Sequence, residues 1–172
     1  MKRPIICIAA VGLTLCMIGS VQGIETVGLT SSVLSASAAE ISDSGTCGES
    51  VTWTLDDAGT LTISGTGNME NYTTKGNSPF ADSSVIKSIV IEDGITSIGN
   101  YAFINCTALV SVSIPDSVKN IGFWAFNGCT SLESVRIPES TTDIGSDAFS
   151  ETPWLSQKQA GSPLVVVNGI LA

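Results

Sequence analysis

Apolar and polar residues alternate strictly in two short stretches near the front of the chain. Val51, Trp53 and Leu55 alternate with Thr52 and Thr54, and Leu61 and Ile63 alternate with Thr60, Thr62 and Ser64. A period of two places every second side chain on one face of a strand. Asp56-Asp57-Ala58-Gly59 between the stretches reads as a turn, and Gly65-Thr66-Gly67 as the exit. The pattern predicts a β-hairpin within residues 47–64 with one apolar face that must be covered.

Further along, the pattern repeats itself. Ile98-Gly99, Ile121-Gly122 and Ile144-Gly145 recur with a 23-residue period, as do Ala102-Phe103, Ala125-Phe126 and Ala148-Phe149. Cys106 maps onto Cys129, Leu109 onto Leu132 and Leu155, Val112 onto Val135, and Ile114-Pro115 onto Ile137-Pro138. The same register reaches upstream to Phe80, Ile86, Ile89, Ile91 and Ile95. Within one unit, Val112 and Ile114 face inward and Ser111 and Ser113 outward, which predicts a short strand that Pro115 ends. Val118 and Ile121 point back inward. Gly122 is expected to allow a tight bend, and Phe123 to Asn127 to form one helical turn that inserts Phe126. No unit buries its own apolar residues. Stacking coil on coil joins them into one core.

These residues resemble the leucine-rich repeat of the BspA-like type, found in bacterial surface and secreted proteins. Cys47-Gly48, Trp53-Thr54-Leu55 and Gly59 to Gly65 are similar to the β-hairpin cap of that family, and Thr152 to Leu155 with Val165 to Leu171 to a variant unit. The resemblance implies a mostly β chain with short helical turns, a leucine-rich-repeat solenoid behind an N-terminal β-hairpin cap. It also implies a binding or adhesion scaffold that takes a protein or glycan ligand, without catalysis or cofactor. A carbohydrate-binding accessory domain, or a structural spacer from a larger surface protein, is the alternative. Two positions depart from the pattern: Thr141 stands where Ile95 and Val118 are apolar, and Thr152 where Cys106 and Cys129 are cysteine.

Residues 1–23 read as a cleavable signal peptide, with Lys2 and Arg3 ahead of an uncharged apolar run from Ile5 to Ile18. The expected organisation is a signal at 1–23, a Ser- and Ala-rich linker at 24–44, a cap at 45–79, repeats at 80–155 and a variant or truncated last repeat at 156–172. Secretion or display at the cell surface follows, with no membrane insertion after cleavage. Val165 to Leu171 holds an Asn-Gly turn signal without a capping unit behind it, so self-association through this end is expected.

Composition narrows the chemistry. The 172 residues contain no histidine, which removes His-based triads, dyads and zinc sites. Sixteen acidic groups against seven basic ones give a net charge of −9, opposed to nucleic-acid binding. Loss of Lys2 and Arg3 with the leader leaves five basic groups against 16 acidic ones, a net charge of −11. Ser84-Val85-Ile86-Lys87 has the spacing of a serine–lysine pair, but it runs into a repeat strand and lacks partner motifs. The carboxylate pairs Asp56-Asp57, Glu92-Asp93 and Asp143 with Asp147 fall at turns and coil edges, and no calcium-loop pattern occurs. Cys106 and Cys129 should be spatial neighbours, either bonded to each other, holding a metal, or filling the core as thiols.

The outward strand positions form the candidate binding face. One column is Ser88, Ser111 and Ser134, and the next is Val90, Ser113 and Arg136. Tyr72, Tyr101, Phe123, Trp124 and Trp154 are candidates for stacking on sugar rings, against packing within the coils or the cap.

Overall fold

The computed structural model describes residues 41–160 and the strand backbone at 166–167 and 170–171. The expected signal peptide, most of the linker and the Asn168-Gly169 turn lie outside the described residues. All the described residues belong to one compact unit, residues 37–172.

Three antiparallel strands open this unit: β1 (Ile41–Gly48), β2 (Val51–Asp56) and β3 (Thr60–Gly65). The β2–β3 hairpin has the expected register, with Trp53 opposite Ile63 and Leu55 opposite Leu61. The Asp56 carboxylate accepts from the Thr60 N–H at 2.7 Å and closes the turn. Strand β1 begins at Ile41, so the end of the expected linker, from Ile41 to Ser44, is strand. Its composition is polar, and backbone pairing with β2 holds it. Gly45 faces Trp53 there, and a Cβ at this position would meet the indole Nε1 at 2.8 Å.

From β3 onward the chain builds two parallel ladders. Strands β5 (Ser88–Ile91), β7 (Ser111–Ser113) and β9 (Ser134–Arg136) add to β3, giving a six-stranded sheet in the order β1-β2-β3-β5-β7-β9. Strands β4 (Gly67–Asn68), β6 (Ile95–Ile98), β8 (Asn120–Ile121) and β10 (Asp143–Ile144) form a second sheet in chain order. Equivalent residues pair across both: Val112 with Ile89 and Val135, and Ile121 with Ile98 and Ile144. The 23-residue period is thus the distance along the chain between neighbouring strands from β5 onward in one sheet and from β6 onward in the other, and contacts such as Thr141 with Val118 span it.

The core lies between the two sheets. Val112 and Ile114 are buried, as are Val118 and Ile121, while Ser113 is exposed, in agreement with the expected strand. Phe80, Phe103, Phe126 and Phe149 stack in a column with ring centroids 5.2 to 5.3 Å apart. Trp53 closes the cap end edge-on to Phe80, and Trp154 packs against Phe149 at the other end. Each fully buried aromatic ring stabilises the fold by roughly 1.5–3 kcal/mol, and the column shares its rings between coils.

Two local expectations are corrected. Residues 123–128 are a run of turns, with Ala125 N–H donating to Gly122 O and Asn127 N–H to Trp124 O, not a helical turn. Trp124 has a φ of 57° and Gly128 one of 72°, which a right-handed helix excludes. The bend expected at Gly122 needs no left-handed backbone, and none of Gly99, Gly122 and Gly145 has a positive φ. They are needed for closeness: a Cβ on Gly122 would meet Asn100 N at 2.5 Å, and Gly99 and Gly145 abut the backbone of Glu70 and Phe123. Each glycine lets one coil settle directly on the coil before it.

Both departures from the repeat have a structural reason. Thr141 is buried and its hydroxyl donates to Val118 O at 3.2 Å, so the polar group costs little. Thr152 is buried at the cysteine position, donates to Phe149 O at 2.6 Å, and accepts from Leu155 N–H at 3.2 Å. It is therefore the N-cap of helix α1 (Pro153–Gln159), which crosses the expected 155/156 boundary. Thr152→Ala should cost about 0.5–2 kcal/mol in urea unfolding, with Thr152→Ser close to wild type. Beyond α1, β11 (Val166–Val167) and β12 (Ile170–Leu171) pair antiparallel, Val167 opposite Ile170.

Candidate functional site

Parallel pairing carries the outward serines into line. Ser88 sits opposite Ser111 and Ser111 opposite Ser134, while Val90 sits opposite Ser113 and Ser113 opposite Arg136. The six side chains proposed from the sequence are therefore brought together on one face of the six-stranded sheet. Neighbouring strands lie about 4.8 Å apart, so these columns run across the coils at that spacing. Val90 is 38% exposed and Arg136, Ser113 and Ser134 are exposed, whereas Ser88 and Ser111 are half-buried.

The face extends further than the repeats. Thr60 pairs with Ser88 and Thr62 with Val90, and the hairpin continues the second row through Thr54 to Ser44. A third short row runs Thr46, Thr52 and Ser64. Sequence reasoning found the alternation in the hairpin but stopped the face at Ser88. The missing step was the parallel pairing of β3 with β5, which the long connection from Thr66 to Lys87 conceals.

Chemically this face is a lattice of neutral hydroxyls with one cation at an edge and one apolar side chain within it. Hydroxyls both donate and accept, so the lattice can meet polyhydroxyl or peptide groups by multiple hydrogen bonds. A serine nucleophile needs a base within hydrogen-bond reach, and these columns offer only further hydroxyls, Val90 and Arg136. The Ser84 and Lys87 pair flanks β5 on the surface and also lies outside any such arrangement.

The other sequence candidates separate cleanly. Asp57, Glu92, Asp93, Asp143 and Asp147 are exposed and Asp56 is held in its turn. Among the described residues no group of three or more Cys, Asp or Glu side chains gathers to hold a metal ion. No described helix is long and apolar enough to cross a membrane. Tyr72 and Trp154 are buried and pack within the cap and the last coil. Tyr101, Phe123 and Trp124 are half-buried and cluster, with centroids 5.4 to 5.9 Å apart.

Cys47, Cys106 and Cys129 are unbonded, fully buried thiols. Cys106 Sγ donates to Phe80 O and Cys129 Sγ to Phe103 O, each at 3.2 Å, so both serve as rungs of the core. The adjacent Cys129 thiol, and then burial, push the Cys106 thiol far above the ordinary range. Burial first, then the Glu70 carboxylate, push Cys47 up from 9.0 to about 11. The folded chain keeps a proton that the unfolded chain releases over this interval. The contribution to stability is complete below pH 9 and is lost as pH rises toward 11. Urea midpoints taken across that interval should fall for the wild type and fall less steeply for Cys47→Ala.

Residues 68–165 match the family model described as BspA type Leucine rich repeat region (6 copies). Among solved structures, the chain is similar to a leucine-rich repeat protein from Eubacterium ventriosum, with 34% identity and a TM-score of 0.59, over 64% of this chain and 30% of that one. A leucine-rich repeat protein from Bacteroides ovatus shares 26% identity at a TM-score of 0.42, over 60% of this chain and 32% of that one. The chain spans under a third of the length of both. Among curated proteins, none matches.

Proposed function

The chain belongs to the BspA-type leucine-rich repeat family, and from that premise we propose that it is a non-catalytic binding module, secreted or held at the cell surface and built as a solenoid. Its ligand is a protein or a glycan, bound on the outward face of the six-stranded sheet. The observation that carries this reading is the alignment of Ser88, Val90, Ser111, Ser113, Ser134 and Arg136 across successive strands. A repeated structure presents such a face over several coils at once, which suits an extended partner. The leader-like residues 1–23 support export. Support for a non-catalytic role comes from the repeat family itself and from the histidine-free composition.

The test is a glycan array and a panel of host and bacterial surface proteins, each screened with wild type and with Ser113→Arg. This substitution places a bulky cation in the centre of the face without touching the core. Binding by the wild type that drops at least about tenfold in the variant supports the assignment, a loss of the size that an interface centre shows. Binding that is equal in both variants places the ligand elsewhere. Turnover of a polysaccharide by the wild type would contradict the non-catalytic reading.

A further inference from the structure

The half-buried cluster of Tyr101, Phe123 and Trp124 lies on the turns after β6 and β8, away from the six-stranded sheet; Tyr101 packs against the core, while Phe123 and Trp124 extend the cluster outward from it. The phenylalanine column of residues 80, 103, 126 and 149 fills the interior without these rings. Their backbone makes the cluster costly. Tyr101 and Trp124 occupy equivalent positions with φ of 56° and 57°, a region that bulky side chains avoid. At the other left-handed position of each unit the chain uses Asp82, Asn105, Gly128 and Glu151. At 101 and 124 it uses two large aromatics, with Asp147 at the equivalent place in the next unit; strain of this kind at bulky residues gathers at ligand clamps.

One group already occupies the cluster. Lys75 Nζ sits 4.4 Å from the centroid of the Trp124 ring. It comes from the exposed stretch 73–77, in which Gly76 has no neighbour within 4 Å of where its Cβ would be. The Trp124 ring therefore offers a face that holds an ammonium group. The net charge of −9 favours approach of a cation from solution.

We infer that the Tyr101–Phe123–Trp124 cluster is a cation-binding aromatic site that Lys75 occupies in the resting protein, and that its external ligand is a lysine or arginine side chain from a basic segment of a partner protein. The partner's cation replaces Lys75 over the Trp124 ring and the 73–77 stretch swings aside. This site stands independently of the sheet face proposed above.

A hexalysine peptide serves as probe, with binding followed by the indole N–H resonances of 15N-labelled protein and the Trp124 signal identified by its loss in Trp124→Leu. Lys75→Ala should tighten binding about two- to fivefold, because the internal competitor is gone. Lys87→Ala makes the same change in net charge at a site remote from Trp124, and should have a smaller effect. Trp124→Leu should weaken the peptide while the thermal transition stays cooperative. Equal affinities for Lys75→Ala and Lys87→Ala would overturn the inference. So would peptide binding that leaves the Trp124 resonance in place. A neutral chitooligosaccharide that shifts this resonance when hexalysine does not would assign the cluster to sugars and overturn it as well.

Discussion

Replacing Phe126 with alanine should destabilise the protein by about 3–5 kcal/mol, the range for deleting a fully buried aromatic ring. Phe126 has no exposed surface and stacks on both neighbours, at 5.2 Å from Phe103 and 5.3 Å from Phe149. The cavity therefore opens in the middle of the column. Its walls cannot close it, since Phe103 and Phe149 are fixed by the pairing of their own coils. Phe103 N–H donates to Ala125 O at 2.8 Å, and Phe126 N–H to Ala148 O at 2.7 Å. Chemical denaturation should show a lower midpoint at nearly unchanged slope. A loss below about 1 kcal/mol would mean that the rings do not form a shared column.

Gly122→Ala is the second large effect, and it is the opposite kind of error. The added methyl would meet Asn100 N at 2.5 Å and Gly99 C at 2.6 Å, and backbone atoms cannot rotate away. Either coil must move, and moving it strains the ladder bond from Gly122 N–H to Ile98 O at 2.9 Å. Overpacking costs about 1–3 kcal/mol, and this position belongs at the upper end because the obstruction is main chain. Gly76→Ala is the control, with open space around its Cβ, and should stay within about 0.5 kcal/mol of wild type by thermal and urea melts. Equal effects at the two glycines would contradict the close approach of the coils.

The features legible in the sequence are those in which one residue type meets one local demand at a fixed interval. Ile98, Ile121 and Ile144 mark one inward ladder and the phenylalanines another, because stacking repeats the same demand in every coil, while the second sheet these isoleucines build reads in the sequence only as an inward-pointing return. The outward serines were legible for the same reason. What stayed hidden depended on contacts between residues far apart or on two roles in one residue. Gly122 reads as a bend in isolation, and only Asn100 pressed against it shows that closeness is the reason. Thr152 reads as a lost cysteine until α1 shows it to be a cap as well. Ile41 to Ser44 reads as a polar linker because its pairing with β2 uses backbone groups that every residue carries. The hydroxyl face was half found: its repeat part follows from periodicity, while its extension over Thr54, Thr60 and Thr62 follows from a crossover between β3 and β5.

Equivalent coils with a 23-residue period stack in register, and deletion of one whole unit tests this most directly. Removing residues 111–133 joins Val110 to Ser134, which takes the place of Ser111, and sets Phe149 on Phe103 in place of Phe126. Nearest-neighbour stacking predicts a shorter protein that still unfolds cooperatively in urea, with a smaller slope in proportion to the surface removed. Removing residues 111–130 instead joins Val110 to Ser131, which puts most inward side chains out of line, Val135, Ile137 and Ile144 among them, and should abolish the cooperative transition. If both deletions fold alike, or if both fail to fold, stacking of equivalent coils is contradicted.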